Sequence, residues 1–179
     1  MKSIKYGDTV GVFSEDGRYR LDIGTVAMKM NTPADHDSWA TRFIVKRITE
    51  GRDPEMDFTP VYPQDLVGIF SENELWRLDI GTRAMKKDTL ADHDTWATRL
   101  VIRRLNGESS GDVCYGHVVG IFTEDGRYRL DIGTGAVKKN TPSTHDTWAT
   151  RLRIRGPDPI VHVKYEGIDY DLEHAQILE

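Results

Sequence analysis

The chain has 179 residues, 38% apolar and 30% charged, with 24 basic against 29 acidic residues and a net charge of −5. No apolar run approaches the roughly 20 residues of a membrane-spanning helix. The first residues, Met1 to Tyr6, hold no apolar signal core, so a cytoplasmic protein without membrane insertion is expected, non-classical secretion staying open. The single Cys114 excludes an intrachain disulfide framework, and the interspersed charges exclude a concentrated basic face for nucleic acid.

In chain order, a lead-in Tyr6-Gly7-Asp8 precedes the alternating segment GVFSE (11–15), which meets the turn signal Asp16-Gly17. YRLDIG (19–24) reads as a second strand, with Tyr19, Leu21 and Ile23 on one face and Arg20 and Asp22 on the other, the outward one. Gly24-Thr25 punctuates, AMKM (27–30) gives a third strand, and a polar Asn/Thr/Pro/Asp/His stretch forms a loop. WATRFIV (39–45) is the fourth strand, with Trp39, Thr41, Phe43 and Val45 facing together. The unit 10–48 then recurs without a gap at 67–105 and 119–155, at offsets of 57 and 52 residues. Nineteen of its 39 columns hold one residue in all three copies, a level of self-similarity that fixes the organisation before any local reading. Lead-ins Tyr62-Pro63-Gln64-Asp65 and Tyr115-Gly116-His117 precede the later copies, and polar linkers run near 51–58 and 106–112. The tail after Gly156-Pro157-Asp158-Pro159 is expected to add a closing strand at 160–165 and a short helical turn over its last eight residues. No segment keeps a 3.6-residue apolar period, so the chain is all-β.

One such quartet of strands cannot bury its apolar face alone, whereas three closing about a shared axis supply a common core. The expected fold is a single β-trefoil domain over 1–179, with repeats 4–50, 60–106 and 113–156 and a closing tail 157–179; a three-sheet β-prism is the alternative. Trp39, Trp96 and Trp148 become symmetry mates near the barrel, and Leu21, Leu78 and Leu130 form a layer with Phe13 and Phe43 beside it.

The residues Gly126-Arg127-Tyr128-Arg129-Leu130, Ala136-Val137-Lys138 and His145 to Leu152 resemble the β-trefoil units of the fascin and hisactophilin type. The outline is also similar to ricin-B-type lectin units, although HDSW and HDTW stand where those carry Gln-x-Trp, and the Y-G-D lead-in resembles MIR-type trefoil units. The resemblance implies the fold, and a function divided among sugar binding, actin binding and protease inhibition.

Among the repeated columns the apolar ones are explained as core and the glycines and Thr25 and Thr32 as turns. The Trp column reads as core or as a sugar-stacking platform. The polar columns give the candidate ligand-binding set: Arg20, Asp22, Lys29, His36 and Asp37; Arg77, Asp79, Lys86, His93 and Asp94; Arg129, Asp131, Lys138, His145 and Asp146. Carboxylates accept from sugar hydroxyls and cations donate to sugar oxygens, so three such clusters suit multivalent glycans or glycoproteins. The same residues also suit a purely structural network, and Glu15, Thr41 and Arg42 share that ambiguity. No catalytic constellation, cofactor or metal site is expected, one His per unit being thin for zinc. Actin filaments, met through Lys46-Arg47 and Arg103-Arg104, are the alternative partner, and a protease inhibitor acting through loop 51–60 is the third reading. The second copy departs at Asn73-Glu74-Leu75-Trp76, which replaces Asp16-Gly17-Arg18-Tyr19.

Overall fold

Alternation along the first strand of each repeat sends Val10 and Val12 inward and Gly11 and Phe13 to the opposite face, and this pattern organises the structure. The computed structural model describes residues 2–24, 29–81, 89–107, 111–133, 138–158, 160–165 and 168–173. The strands are β1 (Thr9–Ser14), β2 (Tyr19–Asp22), β3 (Lys29–Pro33), β4 (Phe43–Arg47), β5 (Val67–Ser71), β6 (Leu100–Arg104), β7 (Val118–Thr123), β8 (Tyr128–Asp131), β9 (Lys138–Pro142), β10 (Leu152–Arg155), β11 (Ile160–Tyr165) and β12 (Ile168–Glu173). A 3₁₀ turn, Trp39–Thr41, precedes β4.

Six strands close a barrel. β1 pairs with β4, β4 with β5, β5 with β6, β6 with β7, β7 with β10, and β10 returns to β1, all antiparallel. Each repeat contributes its first and last strand, and closure removes the sheet edges that three separate sheets of a prism would leave. β2–β3 and β8–β9 are the hairpins of the first and third repeats. In the second repeat the hairpin is represented by the bridges Phe70↔Arg77 and Trp76↔Leu90, and its expected third strand falls in 82–88, outside the described residues. The chain is thus an all-β, β-trefoil-type fold.

Symmetric triplets fill the interior: Val10, Val67 and Val119; Leu21, Leu78 and Leu130; Ile23, Ile80 and Ile132; Phe43, Leu100 and Leu152; Val45, Ile102 and Ile154. Phe13 does not join Phe43 there. It lies on the far side of β1, as strand alternation demands.

The lead-ins converge on the axis. Ile4 N–H donates to Val113 O (2.9 Å), Val61 N–H to Ile4 O (2.9 Å), and Val113 N–H to Val61 O (2.7 Å), a cyclic triangle of backbone bonds. This corrects the tyrosine alignment. The N–H groups of Lys5, Tyr62 and Cys114 donate to the side chains of Asp8, Asp65 and His117, so Tyr62 is the mate of Lys5, and Pro63 the mate of Tyr6 and Tyr115. Tyr6 Oη donates to Asp65 (2.6 Å) and Tyr115 Oη to Asp8 (2.7 Å), each tying one repeat to the next, while Tyr62 stays 40% exposed.

Two boundaries also move. β3 runs through Asn31-Thr32-Pro33 rather than ending at Met30, because Thr32 and Pro33 pair with Arg20 and Tyr19, and a terminal proline lacks only a donor that the ladder no longer needs. The segment Trp39–Thr41 is a turn and not strand, because Ser38 caps it: Ala40 N–H donates to Ser38 Oγ (3.2 Å) and Ser38 N–H to Thr41 Oγ1 (3.0 Å). The tail does not close the barrel, which β10 and β1 already seal; β11 and β12 pair with each other in a sheet of their own. The helical turn expected near the terminus falls mostly on residues 174–179, outside the described residues, while Leu172 and Glu173 belong to β12.

Candidate functional site

The repeated arginine and aspartate of the second strand are not outward-facing in the sense of solvent exposure. Arg20, Arg77 and Arg129 are 1%, 3% and 4% exposed, and Asp22, Asp79 and Asp131 are each 2% exposed. They do lie opposite the core, but the polar loop and the capped turn fold over that face as a second layer. Arg20 Nη1 donates to Ala34 O (3.2 Å) and Nη2 to Thr41 O (3.1 Å), so one guanidinium fastens both ends of the loop. Arg77 bonds Ala91 O and Thr98 O in the same way, and Arg129 bonds Ser143 O and Thr150 O.

Each guanidinium stacks on the phenylalanine of the preceding strand, Phe13 at 4.7 Å, Phe70 at 4.6 Å and Phe122 at 4.8 Å from the ring centroid. The repeated Gly11, Gly68 and Gly120 make room for this stack: a Cβ on Gly11 would stand 2.6 Å from Phe13 Cε2 and 3.0 Å from Arg20 Nη2. Burial pushes the Arg20 guanidinium down to about 10 and lowers Arg77 and Arg129 in the same direction, since the charged form is deprived of water.

Asp22 and its mates also serve the backbone. Asp22 Oδ1 accepts from Gly24 N–H (2.7 Å), with Asp79–Gly81 and Asp131–Gly133 at 2.8 Å, and Thr32, Thr89 and Thr141 approach the other carboxylate oxygen at 3.4–3.5 Å. Among the described residues Arg20 and Asp22 make these bonds rather than an ion pair with each other.

Asp37 and Asp94 stand at the loop surface in two-point pairs with Arg42 (2.8 and 2.8 Å) and Arg99 (2.9 and 2.9 Å), and Asp146 lies 3.4 Å from Arg151. Those arginine hydrogen bonds hold Asp37 and Asp94 below the usual carboxylate range. The glutamate column crosses to the neighbouring repeat: Glu15 accepts from Arg151 (2.7 Å), and Glu72 lies 3.7 Å from Arg42. His36, His93 and His145 are exposed on their loops, His36 Nε2 being 3.9 Å from Asp22. Lys29 and Lys138 are described by backbone alone, opposite Asp22 and Asp131, and Lys86 lies outside the described residues. No group of three His, Cys, Asp or Glu gathers as metal ligands among the described residues.

Beside these loops, aromatic side chains meet at the seams between repeats, with Trp148 half-buried against the core. Trp148 meets Tyr19 at 5.3 Å between centroids, and Trp96 meets Tyr128 at 5.5 Å, both pairs inclined at 47°. Arg18 lies over Tyr19 at 5.2 Å and Arg127 over Tyr128 at 5.1 Å, and each also donates to the tyrosine hydroxyl. Trp96 is 40% exposed. The third seam is altered in composition, because Leu75 and Trp76 stand where the others have Arg and Tyr. Its turn nonetheless keeps its geometry: Glu74 holds φ +61° where Gly17 and Gly126 hold +76° and +75°, and Asn73 Oδ1 accepts from Ser71 as Asp16 does from Ser14. The sequence singles out the tryptophans and, separately, the Asp-Gly-Arg-Tyr turn as a possible ligand contact, but not that the two meet, since each seam joins residues from two different copies.

The basic pairs considered for actin are largely engaged. Lys46 pairs with Glu74, and Arg47 stacks on Tyr6 at 4.6 Å with Asp57 at 3.4 Å, while Arg103 is exposed.

No family model matches the sequence, and no curated protein matches it significantly. Among solved structures, the SDF2-like protein from Arabidopsis thaliana is similar, with a TM-score of 0.63 at 12% identity, over 85% of this chain and 94% of that one. At that identity the likeness speaks to architecture, and it agrees with the closed six-stranded barrel: the chain has a β-trefoil-type fold.

Proposed function

We propose that this protein is a non-enzymatic, multivalent carbohydrate-binding module whose sugar contacts lie at the seams between repeats. The observation that carries this reading is the pairing of a partly exposed tryptophan with a tyrosine and an arginine from the neighbouring repeat, found at two seams. A ring face covers the apolar side of a pyranose, while the guanidinium, the exposed His93 or His145 and the acid beside it offer polar partners for hydroxyls. Arg20, Asp22 and their mates act here as scaffold that holds the loop in place. His36, Asp37, His93, Asp94, His145 and Asp146 form the polar rim. Two matching seams and one altered one favour branched or clustered glycans, for which simultaneous engagement raises avidity.

A glycan array with the wild type, Trp96→Ala and the double variant Trp96→Ala/Trp148→Ala tests this. Wild-type binding that falls about tenfold with each tryptophan lost is expected, in line with the stacking energy of one ring. Absence of glycan binding by the folded wild type refutes it. A second reading, protease inhibition through loop 51–60, draws on Phe58, which is 62% exposed and held at φ +57°. Phe58→Ala would abolish inhibition in that case and leave the glycan array unchanged.

A further inference from the structure

The three loop arginines sit in equivalent places but differ in what crosses over them. On the first repeat the segment that follows the third repeat is laid across the loop. Pro157 O accepts from Arg20 Nη2 (3.0 Å), and Asp158 Oδ1 accepts from Arg42 Nη2 (2.7 Å). On the third repeat the segment following the second supplies Asn106, whose Oδ1 accepts from Arg151 Nη2 (2.9 Å). By the repeat offset, the residues due to cover the second repeat are Ile48 and Thr49.

Both line it, but among the described residues neither gives Arg77 or Arg99 a hydrogen bond. The first connection is five residues longer than the second, and the extra length folds back on itself. Arg47 and Glu55 exchange both backbone hydrogen bonds (2.9 Å each), and Arg52 N–H closes a turn on Thr49 O (3.1 Å). A gap of about 650 Å³ is left, lined by Ile48, Thr49, Arg52, Arg77, Asp94 and Arg99. Within it Arg77 Nη2 donates to Thr98 O, without a counterpart of the Pro157 carbonyl among the described residues. Arg99 is held by Asp94 and has no counterpart of Asp158 or Asn106 among them.

We propose that this gap binds an extended acidic peptide, a backbone carbonyl seating on Arg77 and the aspartate after it on Arg99, as Pro157 and Asp158 do on the first repeat. The symmetry-related site already displays the bound state with a segment of the same chain. Asp53, Asp92 and Asp94 line the gap with Arg52, Arg77 and Arg99, Glu50 and Glu124 act on Arg99 from nearby, and the first repeat accommodates Asp158 in a comparable setting, beside Asp37 and Glu72. The proposal does not depend on the glycan reading: the gap and the seams share only Asp94, and the tryptophan, tyrosine and arginine side chains of the seams take no part in the gap.

The test is a titration of the ¹⁵N-labelled full chain with acetyl-Gly-Pro-Asp-Pro-amide, followed by backbone amide shifts. Saturable shifts are expected across 48–54 and 91–99. The Gly-Pro-Asn-Pro peptide should bind about tenfold more weakly, as loss of one charge-assisted hydrogen bond implies, and free acetate should not reproduce the shifts. Arg99→Gln should abolish binding, whereas Arg151→Gln, at a site that Asn106 already fills, should leave it unchanged. No saturable shift in the wild type at millimolar peptide overturns the proposal. So does equal affinity for the Asn peptide, shifts reproduced by acetate, binding by Arg99→Gln as by wild type, or an equal loss in Arg151→Gln.

Discussion

Replacing Arg129 by Met isolates what a buried guanidinium does in this fold. Arg20 also holds Pro157, and Arg77 lines the gap, but Arg129 bonds two carbonyls of its own repeat, Ser143 O (3.2 Å) and Thr150 O (3.0 Å), and stacks on Phe122. Methionine fills much of the same space without donors. The Thr150 carbonyl is buried and would lose its arginine partner, which costs about 1–3 kcal/mol, while the partly exposed Ser143 carbonyl rehydrates at a cost of about 1 kcal/mol. Losing the guanidinium–ring contact adds about 1 kcal/mol. Relief of the buried charge offsets part of this. The net expectation is a destabilisation of about 2–4 kcal/mol in urea unfolding at neutral pH. A loss below about 0.5 kcal/mol, the range of exposed positions, would refute the view that this arginine fastens the loop and would return it to the pool of ligand contacts.

Other outcomes follow from the same geometry. Gly68→Ala should cost about 1–3 kcal/mol by overpacking, seen as a lower melting temperature, because the new Cβ would lie 2.6 Å from Phe70 Cε2 and 3.0 Å from Arg77 Nη2. Burial, and then the hydrogen bond to Asp65, raise the Tyr6 phenol well above its ordinary value of 10.0. Its contribution is therefore complete below about pH 10 and lost as pH rises further; Tyr6→Phe should flatten that alkaline limb in a pH series of unfolding experiments. Asp37 and Asp94 are lowered by their arginine partners, so their contribution is present above about pH 4 and lost as pH falls. Arg99→Gln should make the acid limb shallower, and an unchanged limb would contradict the pairing.

The architecture was legible in the sequence because symmetry and alternation carry it: the Val, Leu and Ile columns became the core triplets, and first and last strands became the barrel. The candidate site was legible only in part. Alternation says that Arg20 and Asp22 lie opposite Leu21, but not that a capped turn and a loop bury that opposite face. The clue lay in Gly11, Phe13 and Arg20 repeating together, a small residue, a ring and a cation that only make sense stacked. Tyr62 misleads because a tyrosine column implies one register, whereas the axial backbone bonds of Ile4, Val61 and Val113 set another. The seams and the gap are not legible in any one copy, because they join residues of different copies, and the longer first connection contributes Gly51 to Pro54 to the gap.

The division between scaffold and surface is most directly tested by following arginine Nε–H and tryptophan Nε1–H signals together in one NMR titration with a glycan mixture. The Trp96 and Trp148 indoles should shift while the guanidinium signals of Arg20, Arg77 and Arg129 stay in place. Shifts confined to those arginines, with the indoles unmoved, would contradict it.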